Sequence, residues 1–204
     1  MPTPSLVLDA HGFPLVCLAG PVAVGLLPVL KVQFELAYGS PGGPDLLDVD
    51  ACLRLNPRVS WRVSPPTPEA PYLTGLLPDE AHALAARLGG RVPTADEWRE
   101  ADAALDGAVT PELLRRLAAA RGLHPAARAL VRRSAATTWR GLSEGLLEWV
   151  DAAGLYGRPR PSYGLNLILN PRIHPPAVPR VAERHRATGV RLATTRPALG
   201  GRRP

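Results

Sequence analysis

With 204 residues, 46% of them hydrophobic and 21% charged, the chain suits one domain that buries roughly 70% of its unfolded surface in a single core. Its two cysteines, Cys17 and Cys52, exclude a disulfide framework and read as two thiols of a reducing, cytoplasmic setting, with a bridge between them left open. The net charge of +6 is local: residues 1–151 carry 14 basic and 17 acidic side chains, whereas 152–204 carry ten arginines against Glu183 alone.

Leu6–Leu8 and Leu15–Leu18 predict short strands around the turn His11–Pro14, and Val22–Leu27 predicts another. The run Leu15–Leu30 has no charged side chain, but Gly20, Pro21, Gly25 and Pro28 break it and Asp9 precedes it. It is also shorter than the roughly 20 residues of a spanning helix, so neither a membrane span nor a signal peptide is expected. Val29–Tyr38 predicts a helix with Val29, Val32 or Gln33, and Leu36 at helical spacing, stopped by the Gly/Pro cluster 39–44. A proline-rich loop follows at 64–68.

Pro78–Leu88 predicts a helix whose Ala81, Leu84, Ala85 and Leu88 recur at i, i+3, i+4 and i+7, with Asp79 and Glu80 in its first turn. Gly89-Gly90 suits the left-handed conformation that ends it. Thr94, with Glu97 three residues on, makes a capping box for the next helix, and Asp96 and Glu97 lie where the helix dipole favours anions. Thr110-Pro111-Glu112 caps a further helix through Leu113, Leu114 and Leu117 to about Ala120. Pro125–Arg133 predicts another, with Ala126, Ala129 and Leu130 on one side and Arg128, Arg132 and Arg133 on the other. These two form a helical insert near 107–137, and residues 197–204 read as a disordered tail.

The stretch Arg91-Val92-Pro93-Thr94-Ala95-Asp96-Glu97-Trp98 resembles the "R-[LV]-P-T-x-x-E-W-E" signature of the formylglycine-generating-enzyme-like, or sulfatase-modifying-factor, domain family. Arg99 and Glu100 depart from it. Gly141–Asp151, with Glu148 and Trp149, resembles a contracted "G-L-x-D-M-x-G-N-V-W-E-W-V-x-D". Arg184–Ala193, with Gly189 and Arg191, resembles the closing "x-G-F-R-x-A" strand, with Val190 in place of Phe. Asn56–Trp61 and Lys31–Phe34 are looser echoes. The resemblance implies one domain over residues 1–196 with an irregular α+β, C-type-lectin-like fold: small antiparallel sheets, two packed helices and long loops. Trp61, Trp98, Trp139 and Trp149 are then mainly core residues.

Catalytic members of that family hold copper(I) with two cysteines near the C-terminus, and this chain has no cysteine after Cys52. An iron-dependent branch uses histidines, but His11, His82, His124, His174 and His185 are scattered, with none three or four residues from another. Family calcium sites centre on the turn where Glu148 survives and the asparagine is lost. Ser134, Ser143 and Ser162 lie in no Gly-x-Ser-x-Gly frame, and Gly39–Gly43 lacks the Lys and Ser/Thr of a phosphate loop. A recognition helix starting at Thr94 would aim Asp96, Glu97 and Glu100 at phosphates, which argues against a helix-turn-helix.

The expectation is therefore a non-catalytic domain without metal or cofactor. It would bind a protein partner or ligand through loops bearing Tyr156, Arg158, Arg160, Tyr163, Arg172 and His174, as a component of a larger assembly and away from membranes. Two alternatives stay open: a metal-dependent oxidoreductase with a divergent site, and an arginine-rich module for nucleic acid or another anionic ligand through the C-terminal arginines. Lys31 is the only lysine, so such contacts would be made by planar guanidinium forks. Thr94→Ala is expected to cost about 1 kcal/mol through the lost cap, read as a lowered urea midpoint at unchanged slope.

Overall fold

The computed structural model describes residues 4–38, 71–134, 142, 146–152, 160–162 and 188–195. They form an α+β architecture. Strands β1 (Leu6–Leu8), β2 (Pro14–Cys17) and β3 (Val22–Gly25) precede helix α1 (Lys31–Tyr38). Four helices follow: α2 (Pro78–Arg87), α3 (Ala95–Leu105), α4 (Pro111–Ala119) and α5 (Pro125–Arg133). Strands β4 (Leu147–Ala152), β5 (Arg160–Ser162), β6 (Thr188–Val190) and β7 (Ala193–Thr195) close the chain.

One sheet runs β1-β2-β3-β7 and is antiparallel throughout, with Leu15 opposite Gly25 and Val24 opposite Ala193. The second runs β5-β4-β6. Its β4–β5 pair is antiparallel, but β4 and β6 run parallel, with Glu148 opposite Gly189. The sheets are thus small, as the resemblance implies, but one of their pairings is parallel. That pairing needs a long crossover between its strands, and residues 153–187 supply the length.

Segment 188–195 belongs to both sheets. Its first half lies on β4, and its second half on β3. The turn between them is tied down by Gly25 N–H donating to the Leu192 carbonyl at 2.7 Å and Val29 N–H donating to the Val190 carbonyl at 2.8 Å. The single closing strand read from sequence is therefore two strands with Arg191 and Leu192 at the step between the sheets.

The described residues hold five helices, at the five places where the sequence predicts one. Helix α1 packs on α2, α3 lies against β3 and β4, and α4 and α5 form a hairpin. Helix α2 stops where Gly89 adopts φ 77°. Gly90 then passes so close to the 188–195 segment that a Cβ there would lie 2.8 Å from the Ala193 carbonyl oxygen. Arg91 and Ala193 exchange backbone hydrogen bonds at 2.9 and 2.8 Å directly afterwards, so this helix end feeds the chain onto the sheet.

Helix α1 departs from the register its apolar spacing suggests. Val29 is held in extended pairing with Val190 and Leu73, and Gln33 Oε1 accepts from Leu30 N–H at 2.9 Å. The helix consequently begins at Lys31, which turns Gln33 and Phe34 inward and leaves Leu36 49% exposed. In α5, Ala127 and Val131 complete the buried face with Ala126 and Leu130, while Ala129 is half-buried.

The core has two clusters. One gathers Trp98, the inner faces of α3, α4 and α5, and residues of β2 and β3; the other gathers Trp149, Phe34, Val190 and the apolar face of α2. No helix among the described residues is long and apolar enough to cross a membrane. Cys17 is half-buried on β2, and Cys52 lies outside the described residues.

Helix α5 carries a histidine cap that the apolar pattern does not announce. His124 Nδ1 accepts from Ala126 N–H at 3.2 Å, its backbone N–H donates to the Gly12 carbonyl at 2.8 Å, and its ring stacks on Phe13 with centroids 4.6 Å apart. Burial lowers its pKa below the ordinary histidine value, against the opposing pull of Asp9 and with the help of nearby His11. A proton on Nδ1 would remove the cap and place a cation at a helix N-terminus. Because the folded-state pKa is depressed, this contribution is fully present above the unfolded value of about 6.5 and is lost as pH falls through the folded one. His124→Asn keeps a capping oxygen without the titration. Between about pH 7.5 and 5.5, the urea midpoint of His124→Asn should fall less than that of the wild type, and parallel curves would refute this assignment.

Candidate functional site

The signature residues recognised in sequence meet around β4. Residues alternate across this strand, so Glu148 and Val150 face the Trp98 cluster while Trp149 enters the other. Glu148 and Arg191 are both fully buried. Arg191 Nε lies 2.9 and 2.8 Å from Glu148 Oε1 and Oε2, and Trp98 Nε1–H donates to Glu148 Oε2 at 2.8 Å. Arg191 Nη1 also donates to the carbonyls of Gly25 and Leu26 at the end of β3. Burying these charges costs several kcal/mol each, and only such close pairing with hydrogen-bonded partners offsets it.

Gly189 is buried directly opposite Glu148 on β6. Trp149 Nε1–H donates to the Leu76 carbonyl at 2.8 Å, which ties β4 to the segment entering α2. Both tryptophans thus bury an apolar ring while their one polar hydrogen is satisfied.

Arg91, Pro93, Thr94 and Glu97 make a second arrangement nearer the surface. Thr94 Oγ1 accepts from Glu97 N–H at 3.2 Å and Glu97 Oε2 accepts from Thr94 N–H at 2.9 Å, which completes the capping box. The same carboxylate takes a two-pronged contact from Arg91, at 2.7 Å from Nη1 and 2.5 Å from Nη2. Burial works to raise the Glu97 pKa, yet the Arg91 hydrogen bond and those from Thr94 hold it below the ordinary glutamate value. Arg91 is correspondingly raised. The Pro93 carbonyl accepts from Asp151 N–H at 2.8 Å, so the start of α3 is pinned to β4.

These contacts set what the arrangement can do. Both oxygens of Glu148 are committed to Arg191 and Trp98, which positions this carboxylate as an internal ion-pair partner. Among the described residues, no three His, Cys, Asp or Glu side chains are grouped to hold a metal ion. A cavity of about 10 Å³ lies beside Asp9, Phe13, Gly25, Gln33 and Leu192. It has room for about one water molecule. The Asp9 carboxylate there already accepts from His11 and Phe13 N–H at 2.9 and 2.8 Å.

Of the loop residues expected to bind a partner, Arg160 opens β5, paired with Ala152. Tyr156, Arg158, Tyr163, Arg172 and His174 lie outside the described residues, as do Asn56–Trp61, the loop 64–68, Trp139 and the tail 197–204. Sequence reading missed the partners that complete the buried cluster. The carbonyls of Gly25 and Leu26 are 166 and 165 residues from Arg191, and a backbone acceptor carries no side-chain signal.

No family model matches the chain, and no known protein or solved structure in the comparisons does. Arg191→Met is expected to destabilise the protein by about 3 to 5 kcal/mol, because it strands the Glu148 carboxylate in the core. Adding Glu148→Gln, whose amide oxygen can still accept from Trp98, should recover part of that loss. Equal stability of the single and double variants in denaturant titrations would show that the pair is not coupled.

Proposed function

We propose that the chain is a non-catalytic binding or scaffolding domain, a divergent relative of the formylglycine-generating-enzyme-like domain with its C-type-lectin-like fold. It recognises a protein partner or ligand through its loops within a larger cytoplasmic assembly. The observation that carries this reading is the commitment of the signature side chains to one another. Glu148, Arg191, Trp98, Thr94, Glu97 and Arg91 are all used in internal hydrogen bonds, so the motif serves to hold the sheets and α3 together.

Topology supplies the second support. The β4–β5 ladder, with Val150 opposite Ser162 and Ala152 opposite Arg160, brackets the connection 153–159 that carries Tyr156 and Arg158. An aromatic and guanidinium pair on a connection rooted in a paired strand is a suitable recognition element, since binding residues concentrate on loops positioned by a rigid scaffold.

The reading is tested by purifying the full chain from its native source alongside a Tyr156→Ala, Arg158→Ala, Arg160→Ala variant. The wild type should bring down a stoichiometric partner that the variant loses while melting at the same temperature. A wild-type chain that remains a lone monomer, or one that consumes oxygen on addition of iron or copper, would overturn it.

A further inference from the structure

The α4–α5 hairpin presents a second surface, separate from the loops considered above. Residues 107–134 contain six arginines and one acidic residue, Glu112. Arg115, Arg116, Arg121, Arg132 and Arg133 are exposed. Glu112 is already engaged by Arg115 at 2.6 Å. The sixth arginine, Arg128, turns back to donate to the carbonyls of Ala120 and Leu123 at 3.1 and 3.3 Å, which braces the turn bearing Arg121.

Intrahelical electrostatics explain only part of this distribution. Arg132 and Arg133 occupy the last turn of α5, where the helix dipole favours cations. Arg116 likewise lies in the last turn of α4, but Arg115 lies earlier in that helix and Arg121 in the turn beyond it, so the α4 dipole accounts for Arg116 and not for Arg115. Guanidinium groups gathered on a rigid helical pair create a field that draws in a polyanion.

The remaining exposed positions identify which polyanion. The leucines and Val131 of the hairpin are buried, and its other exposed residues are Pro, Ala, Gly, Thr110 and Glu112. A protein partner is usually held by an aromatic or aliphatic anchor at the centre of the interface, which this face lacks among the described residues. Binding to a phosphate backbone requires no such anchor. Arginine also matches phosphate oxygens with two parallel hydrogen bonds.

We propose that the α4–α5 hairpin is a sequence-independent binding surface for the phosphodiester backbone of a nucleic-acid duplex. It stands or falls independently of the loop-binding reading. The test is fluorescence anisotropy of the full chain with two labelled DNA duplexes of unrelated sequence, titrated between about 50 and 200 mM salt. Both should bind equally, with a slope of log affinity on log salt between about −3 and −5, near −0.9 for each phosphate neutralised.

Arg116→Glu with Arg132→Glu should lose at least about tenfold in affinity and flatten the slope by about 2. Arg116→Lys with Arg132→Lys should stay close to the wild type. If the glutamate variant melts early, Arg116→Gln with Arg132→Gln replaces it, with a slope reduced in the same sense. Absence of saturable binding at the lowest salt would overturn the proposal, as would wild-type affinity in the charge-reversed protein. So would equal affinity for polyglutamate or phosphatidylserine vesicles, or loss of binding from Arg158→Ala with Arg160→Ala while the hairpin is intact.

Discussion

The buried contact between Glu148 and Arg191 is the constraint on which the rest of this structure depends. Neither charge enters the interior alone without a large penalty, since desolvating an unpaired ion costs several kcal/mol, a large fraction of the roughly 5 to 15 kcal/mol by which a whole domain is commonly stable. Arg191 therefore has to reach Glu148 on β4 and the carbonyls closing β3 at the same time. Those partners belong to different sheets. One guanidinium group thus fixes how far the two sheets are apart and where segment 188–195 steps from one to the other. The geometry suits arginine, whose planar fork offers donors in several fixed directions; a lysine ammonium on a flexible stem would not reproduce it.

Trp98 extends this constraint to the helices. Its indole N–H completes the coordination of Glu148, and its ring lies at the centre of the cluster formed by α3, α4 and α5. The cap formed by Thr94 and Glu97 sets the first turn of α3 and with it the direction of Trp98, and the Arg91 fork holds the cap from outside. A local motif of eight residues is linked in this way to a contact between distant strands. The capping box has a structural consequence well beyond the amide it satisfies.

Features governed by neighbouring residues were legible in the sequence. Helices α2 to α5 begin and end close to where proline, glycine and the Thr94 and Thr110 caps place them, because those signals act within one or two turns. The strands β1 to β3 follow the apolar runs for the same reason. Helix α1 was legible as an element but not in its register. Val29 pairs with Val190, a residue far along the chain, and that tertiary contact outweighs the helical spacing that would have buried Leu36. The parallel pairing of β4 with β6 and the splitting of the closing strand were likewise beyond a local pattern. Of the candidate site, Glu148, Trp98 and Arg191 were recognisable as signature residues. Their convergence was not, since two of the acceptors are backbone carbonyls. The arginines of α5 were visible as a face, but only the packing of α4 beside it makes that face part of a larger surface.

The ion pair also selects a register that hydrophobic burial alone would leave poorly defined. Strand β4 is buried on both sides, with Glu148, Trp149 and Val150 all inaccessible, so alternation of polar and apolar residues does not distinguish its faces. A slip of one residue would exchange Glu148 with Trp149. It would move the carboxylate into the apolar cluster of Phe34, Leu84 and Val190 and set an indole against the Arg191 guanidinium, leaving both charges without a partner. The penalty for that arrangement is far greater than the loss of a few strand hydrogen bonds. Glu148 therefore acts as a register mark within an otherwise apolar strand, and the β4–β5 ladder inherits its alignment. Ala152 and Arg160 stand opposite each other in that ladder, so the buried pair also sets the two points between which residues 153–159 must run.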